Sequence, residues 1–281
     1  MFQKLQSSWD LVKQSMTVLR ADKELVIFPI MAAIASIAVF ATFLIPMIVT
    51  GAGESMFAED GSNIVGTIVM FLFYVVSYFV ALFANSALVG AALIRLRGGD
   101  PTVSDGLRIA REHMMQILGY AIIAATVGMV LRAISERSGA IGRIVIGIIG
   151  MAWSLATFLV VPILVTEDVG PIEAVQRSGA LLKKTWGEQV AGNFSIGLVF
   201  GLIIFGVILV SIPLFILAAS AESIGLIITL IIVIVLTITL LGLLSSTLSG
   251  IYAAAVYQYA TTGQTGEFFD AKMIKHSFAP K

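Results

Sequence analysis

The chain reads as an all-α, polytopic membrane helix bundle, with six transmembrane helices in three hairpins and a cytoplasmic amphipathic surface helix before each hairpin. Three observations predict this. Hydrophobic residues make up 58% of the 281 residues and charged residues 12%, with a mean hydropathy of +1.01. An ordinary soluble domain carries about 25% charge, so this chain has roughly half of what covers a water-facing surface. Six uncharged runs each hold enough of the about 20 apolar residues that cross a hydrocarbon core of about 30 Å. The segments between the runs alternate in charge. In lipid an open strand edge would leave backbone groups unpaired, so these runs are helices despite their Gly and Pro content.

The runs occupy residues 25–50, 64–94, 114–131, 144–166, 189–221 and 223–260. The last exceeds what one crossing needs, even with tilt, and is expected either to break near residues 242–250 or to project into the cytoplasm. Four Lys/Arg precede residue 25, four lie in 95–113, three in 167–188 and three after Thr265. By contrast, connector 51–63 holds only the acids Glu54, Glu59 and Asp60, and the fifth connector only Glu222; Arg132, Arg137 and Arg143 lie in the third connector, which is the second outer one. By the positive-inside rule both termini are cytoplasmic, and the expected location is an inner or plasma membrane. The first 24 residues mix both charge signs and precede an apolar run longer than a signal h-region, so Leu25 onward is a retained span. The chain is then one integral membrane domain, 1–281, of three units near 1–94, 95–166 and 167–265, with a cytoplasmic tail at 266–281.

Each unit opens on an apolar stripe of helical period. Phe2, Leu5, Trp9, Val12, Met16 and Leu19 form the first, Val103, Leu107, Ala110, Met114 and Ile117 the second, and Ile172, Val175, Gly179, Leu182 and Trp186 the third. Such helices lie along the membrane surface or pack beneath the bundle. Ser7 with Asp10 and Thr102 with Asp105 have capping-box spacing, and Pro171 suits a first helical position. Aligning Val12 with Val175 also places Ser15 on Ser178 and Leu19 on Leu182, which is compatible with an internal repeat.

The segments WSLATFLVVP (153–162), EDVGPIEA (167–174) and RSGALLKKTWGE (177–188), with WDLVK at 9–13, DKEL at 22–25 and Phe28-Pro29, resemble an uncharacterised family of six-span prokaryotic membrane proteins. More distantly they are similar to the membrane domain fused to some glycerophosphodiester phosphodiesterases. The resemblance covers nearly the whole chain and implies the six-span fold. It supplies no catalytic residues.

The chemistry-bearing patterns are few. Asp105-Gly106-Leu107-Arg108-Ile109-Ala110-Arg111 is similar to the D-G-x-x-A-R opening of CDP-alcohol phosphotransferases, but carries one extra residue. The stretch after Gly119 has none of the carboxylates that would hold divalent metal there, so a capped surface helix is the better reading. No cysteine is present, and His113 and His276 are far apart, so no catalytic residue, cofactor or metal ligand is assigned. The spans hold no ionisable group away from their ends, which argues against proton coupling. Asn85, Asn193 and Gln258 are the candidate intramembrane polar contacts, read first as interhelical hydrogen bonds, and Gly197/Gly201 with Ser246, Gly250 and Ala254 as close-packing positions. Pro46, Pro162 and Pro213 mark kinks. Arg177, Lys183, Lys184, Trp186, Arg108, Arg111 and Trp9 are the candidate contacts to anionic lipid or to a partner.

The expected function is a non-enzymatic scaffold, assembly factor or lipid-organising component. A transporter or channel for a lipidic or weakly polar solute is the alternative, and a lipid-modifying enzyme comes third. Partners are membrane lipids, with a protein partner or a second copy also open. A formal charge of zero gives no argument for nucleic acid.

Overall fold

The computed structural model describes residues 2–49, 64–186, 195–270 and 274, and all regular elements among them are helices. Helix α1 (Phe2–Ala21) passes through a 3-10 turn (Lys23–Val26) into α2 (Ile27–Val49), followed by α3 (Ile64–Leu96), α4 (Val103–Glu112) and α5 (Met114–Glu136). Then come α6 (Ala140–Ala156), α7 (Val160–Thr166), α8 (Pro171–Trp186), α9 (Ser195–Ser220) and α10 (Ile224–Thr262). Six helical stretches among the described residues are long and apolar enough to cross a membrane: Lys23–Val49, Ile64–Leu96, Met114–Glu136, Ala140–Thr166, Ile196–Ser220 and Ile224–Thr262. The chain is therefore built as a multi-pass membrane protein.

The core sits at one end of these stretches. The last third of α3, the short α7 and the last third of α10 bury one another: Leu88, Ala92 and Leu93, then Ile163 and Leu164, then Leu248, Ile251 and Ala255, are all fully or nearly fully enclosed. Small residues let the backbones approach. Gly250 of α10 faces Leu88, and a Cβ there would stand 2.5 Å from that side chain and 3.2 Å from Asn85 Oδ1. Toward the opposite end the helices expose large apolar side chains, such as Ile37, Ile48, Leu209 and Leu236. Such surface is stable only in an apolar solvent.

Several sequence expectations change. The sixth run neither breaks near residues 242–250 nor kinks out of helix; α10 is continuous over 39 residues, about 58 Å at 1.5 Å per residue, and stops at Gly263, whose φ of 72° ends the helix. Its last third is buried in the core. The fourth run is split instead. Pro162 has no N–H and its ring crowds the carbonyl of Phe158, so α6 ends at Ala156 and α7 restarts at Val160, while the Leu159 N–H donates to Ser178 Oγ at 3.0 Å. Helices α2 and α9 each carry a proline, Pro46 and Pro213, within a continuous helix, as a proline kink permits. Gly197 and Gly201 meet no neighbour within 4 Å, so that pair makes no close helix contact among the described residues.

The short helices bury faces that overlap the apolar stripes in part: Val12, Leu19, Ala110, Ile117 and Leu182 are enclosed, and Met16, Val103, Leu107 and Val175 pack against the core. On α1 the enclosed residues are Ser8, Leu11, Val12, Ser15, Val18 and Leu19, while Trp9 is 46% exposed, because α1 is wedged against α9 and α10. On α8 they are Ala174, Ser178 and Leu182, while Ile172 is exposed. Ser15 and Ser178, paired by the sequence alignment, are both fully buried. On α4 the buried positions are Gly106 and Ala110. Small side chains four apart thus seat α4 and α8 on the core. Of the two capping boxes, Thr102/Asp105 forms, with the Thr102 N–H donating to Asp105 Oδ2 (3.0 Å) and the Asp105 N–H to Thr102 Oγ1 (3.2 Å). For the Ser7 box, α1 begins at Phe2, which places Ser7 within the helix, and the Ser7 side chain lies outside the described residues.

Gly106 is the tightest seat. An added Cβ would lie 2.5 Å from the Phe28 ring and 2.6 Å from the Ala87 carbonyl oxygen, and that backbone cannot yield. Gly106→Ala should therefore cost about 1–3 kcal/mol by overpacking, whereas Gly250→Ala, which meets only the flexible end of Leu88 closely, should cost less. Thermal unfolding in detergent checks the order; equal losses would refute it.

Candidate functional site

The polar groups gather beyond the core, where α3 and α10 end. After Leu93 the α3 helix runs into Arg95, Leu96 and Arg97 and is closed by Gly98, whose φ is 85°. Asp22, at the end of α1, is buried beneath Arg95, with its Oδ2 3.4 Å from the guanidinium; the same Arg95 nitrogen also pairs with the exposed Asp100. Burial pushes the Asp22 carboxyl above its ordinary pKa, against the pull of Arg95. The ring of contacts extends to α4, where Glu24 accepts from the Val103 N–H at 3.2 Å. At the head of α4 the Thr102 hydroxyl, assisted by Arg108, holds the Asp105 carboxyl below its usual range.

The segment after α10 folds back over this end. Gly266, with φ 69°, lies so close to α3 that a Cβ would be 2.6 Å from the Leu96 carbonyl oxygen. Thr265 Oγ1 donates to the Phe269 carbonyl at 2.6 Å, and Phe269 is buried. Between the segment and the helix ends lies a polar cavity of about 480 Å³ lined by Arg95, Arg97, Gln258, Thr262, Gly266 and Glu267, among others.

A second polar chain joins α7, α8 and α10. Tyr257 donates to Glu167 Oε1 at 3.0 Å, and the Thr166 hydroxyl lies 2.8 Å from the Tyr257 oxygen. Arg177 pairs with the other Glu167 oxygen and, at 2.9 Å, with Glu173. These acceptors raise the Arg177 pKa further and match its charge while the side chain stays half exposed.

Among the residues singled out from sequence, Arg108 pairs with Asp105 and Glu112, while Lys183, Lys184 and Arg111 are exposed and have no ion pair among the described residues. Trp9 is exposed on α1; Asn193 and the side chain of Trp186 lie outside the described residues. Asn85 sits at the α3–α10 approach, and Gln258 lies eight residues beyond Gly250, in the polar cavity. Sequence reasoning overlooked the pairing of Asp22 with Arg95 and the place of Glu267 in the cavity lining. The signal for both is weak, because each partner is far away along the chain. Two further spaces are apolar. One, of about 400 Å³, lies between α2, α3 and α5 and is lined by Phe40, Phe43, Met47, Met70, Phe73 and Met129; the other, of about 220 Å³, lies beside Phe28, Phe79, Phe83 and Leu107. Among the described residues no group of His, Cys, Asp and Glu is placed to hold a metal ion.

Comparison with known proteins gives one match: residues 64–269 fit the model of a family described as a family of unknown function (DUF6159). No curated protein and no solved structure matches the chain.

The Asp22–Arg95 pair sets a testable pH dependence. A carboxyl with a raised folded-state pKa contributes stability below its unfolded value and loses it as pH rises through the folded one, so at neutral pH the buried carboxylate depends on Arg95. Arg95→Gln should lower stability by about 3 kcal/mol at neutral pH. The deficit should shrink in acid as Asp22 takes up a proton, and Asp22→Asn in the same chain should recover most of it at neutral pH. Thermal unfolding from about pH 4 to about pH 8 is the measurement, and a deficit that ignores both pH and the second substitution sinks the assignment.

Proposed function

The chain belongs to this family of unknown function, and from that premise we propose that it is a non-enzymatic, multi-pass component of a prokaryotic cytoplasmic membrane that organises lipid or serves as a scaffold for assembly. The observation that carries this reading is the division of the molecule along its helices. One end is a tightly packed core crowned by paired charges and a polar cavity; the other is a set of apolar rods that need lipid. A protein built this way presents a fixed polar face to one side of the membrane. The charge distribution supports placing that face, and both termini, in the cytoplasm.

The three-unit plan is part of the proposal. Each unit consists of a short cytoplasmic helix (α1, α4, α8) followed by two spans, and contacts of α2 with α3, α5 with α6 and α9 with α10 support pairing within each unit. The exposed Lys183 and Lys184 on α8 then face the headgroup region, where each basic side chain is worth about 1 kcal/mol toward an anionic surface. A second reading, a carrier for a lipidic solute, is favoured by the apolar crevice around Phe40 and Phe73, which is lined by rings and thioethers.

Two measurements test the proposal. Single cysteines at Arg137 and Glu222 should react with an impermeant maleimide in intact cells, and those at Asp100 and Lys184 only after permeabilisation; the reverse pattern would invert the topology. Replacing Lys183 and Lys184 by Gln should reduce retention of anionic lipid in native mass spectrometry by about 1 kcal/mol per charge at low salt, with a smaller difference at high salt. Unchanged retention refutes the lipid-organising role of α8.

A further inference from the structure

The spans do not reach the same height on the side away from the core. Helix α3 serves as a ruler, because it touches α2, α5 and α10. Gly128 of α5 lies beside the Tyr78 hydroxyl, 3.2 Å from where its Cβ would stand, and Arg132 one turn further on donates to the Tyr74 hydroxyl at 2.5 Å. Outward from this contact α3 continues from Tyr78 to Ile64, whereas α5 runs only from Gly128 to Glu136 before the chain turns into α6. At 1.5 Å per residue, the α5–α6 hairpin stops about 9 Å short of α3. Helix α10, matched to α3 where Gly250 meets Leu88, begins at Ile224 and so stands about 12 Å taller than α5. The crevice between α2, α3 and α5 reflects the same step: α5 contributes Met129 to its lining, while Met47, Gly66, Thr67 and Met70 further out belong to α2 and α3.

The side chains make the step consequential. The tall helices are apolar to their tips, and Val49 (79%), Ile64 (73%), Leu217 (64%) and Ile224 (73%) are largely exposed. A bilayer that covers them reaches past the end of α5. The short hairpin nevertheless ends in charge. Arg132 is matched by Glu136 at 2.7 Å, but Arg137 and Arg143 are exposed and have no ion pair among the described residues. A guanidinium inside hydrocarbon is costly, and the cost is relieved when the bilayer thins and headgroups sink to meet it.

We propose, on the strength of the membrane reading above, that the outer end of the α5–α6 hairpin is a headgroup-binding notch. The adjacent leaflet dips there by about the height of the step, on the order of 10 Å, and Arg137 and Arg143 take the phosphate of an anionic phospholipid. Three arginines against the single Glu136 leave this end with a net charge of +2, which favours a net-anionic headgroup over a zwitterionic one.

The test reads depth in the full chain, reconstituted in vesicles of phosphatidylcholine and phosphatidylglycerol. Because the sequence has no cysteine, Ile134→Cys, Val233→Cys and Met115→Cys can each carry one environment-sensitive dye, quenched by lipids brominated shallow or deep on the acyl chain. Ile134 of α5 (50% exposed) and Val233 of α10 (52% exposed) stand within about 2 Å of the same height on the α3 ruler. Val233 should nevertheless be quenched by the deep lipid and Ile134 by the shallow one. Met115, 72% exposed at the opposite end of α5, should also be quenched by the shallow lipid. That position separates a thinned bilayer from a tilted protein, since tilt would carry Met115 into the deep zone. At low salt, brominated phosphatidylglycerol should quench Ile134 at least about fivefold more effectively than brominated phosphatidylcholine. Arg137→Gln with Arg143→Gln, both exposed changes whose melting temperature should match the parent, should remove that preference and move the Ile134 dye toward the deep quencher. Equal depth at Ile134 and Val233, deep quenching at Met115, or a phosphatidylglycerol preference that survives the double variant overturns the proposal. These readouts come from α5 and α10 and do not involve Lys183 or Lys184, so failure here leaves the lipid-organising role of α8 standing.

Discussion

The architecture depends on the mutual burial of three helix ends: the last third of α3, the short α7 and the last third of α10. The contact is mainly apolar, with Ser86 and Thr247 buried among the hydrophobic residues, and Ala91 and Ala92 on α3 and Gly250, Ala254 and Ala255 on α10 supply the small side chains that dense packing needs. In lipid, where apolar surface gains little by leaving its solvent, close van der Waals fit is what holds helices together. Everything else is hung on this hub: α4 and α8 through small faces, α2 through Phe28, and α1 through its wedge against α9 and α10.

The hub also explains why the molecule is asymmetric along its helices. Burial is concentrated where α3, α7 and α10 converge, and the far halves of α2, α9 and α10 are left for lipid to solvate. α10, at 39 residues, is longer than one hydrocarbon core requires, and its last third is used as protein core. The break before Pro162 serves the same convergence. It frees α7 to turn inward, and Ser178 from α8 satisfies the backbone N–H that the break exposes.

Around the hub, polar side chains act more as fasteners than as chemistry. Asp22 with Arg95 ties the end of α1 to the end of α3, and Tyr257, Glu167 and Arg177 tie α10, α7 and α8 together. Arg177 carries the clearest consequence: a basic residue that reads as available to lipid has its charge matched by two glutamates. The basic character left on α8 is that of Lys183 and Lys184, at the helix end where cations are also favoured by the dipole. Near the polar cavity, Gln258 Oε1 and Arg95 Nε are buried without a hydrogen-bond partner among the described residues.

Local rules decided much of this protein from sequence alone. The positions of the apolar runs, the Thr102/Asp105 cap, the start of α8 at Pro171 and the alternating charge of the connectors each depend on residues within a few positions of one another. Periodicity did not decide which faces are buried. A span facing lipid and a span facing protein are equally apolar, so nothing along the chain separates exposed Leu236 from enclosed Leu248. Small and hydroxyl side chains such as Gly106, Ser15 and Ser178 count as polar or neutral in a sequence pattern, yet they occupy the tightest contacts because only they fit there. The tertiary structure alone brought Arg95 and Arg97 to Gln258 and Glu267, since those pairs lie more than 150 positions apart and meet only because the hub sets two helix ends side by side.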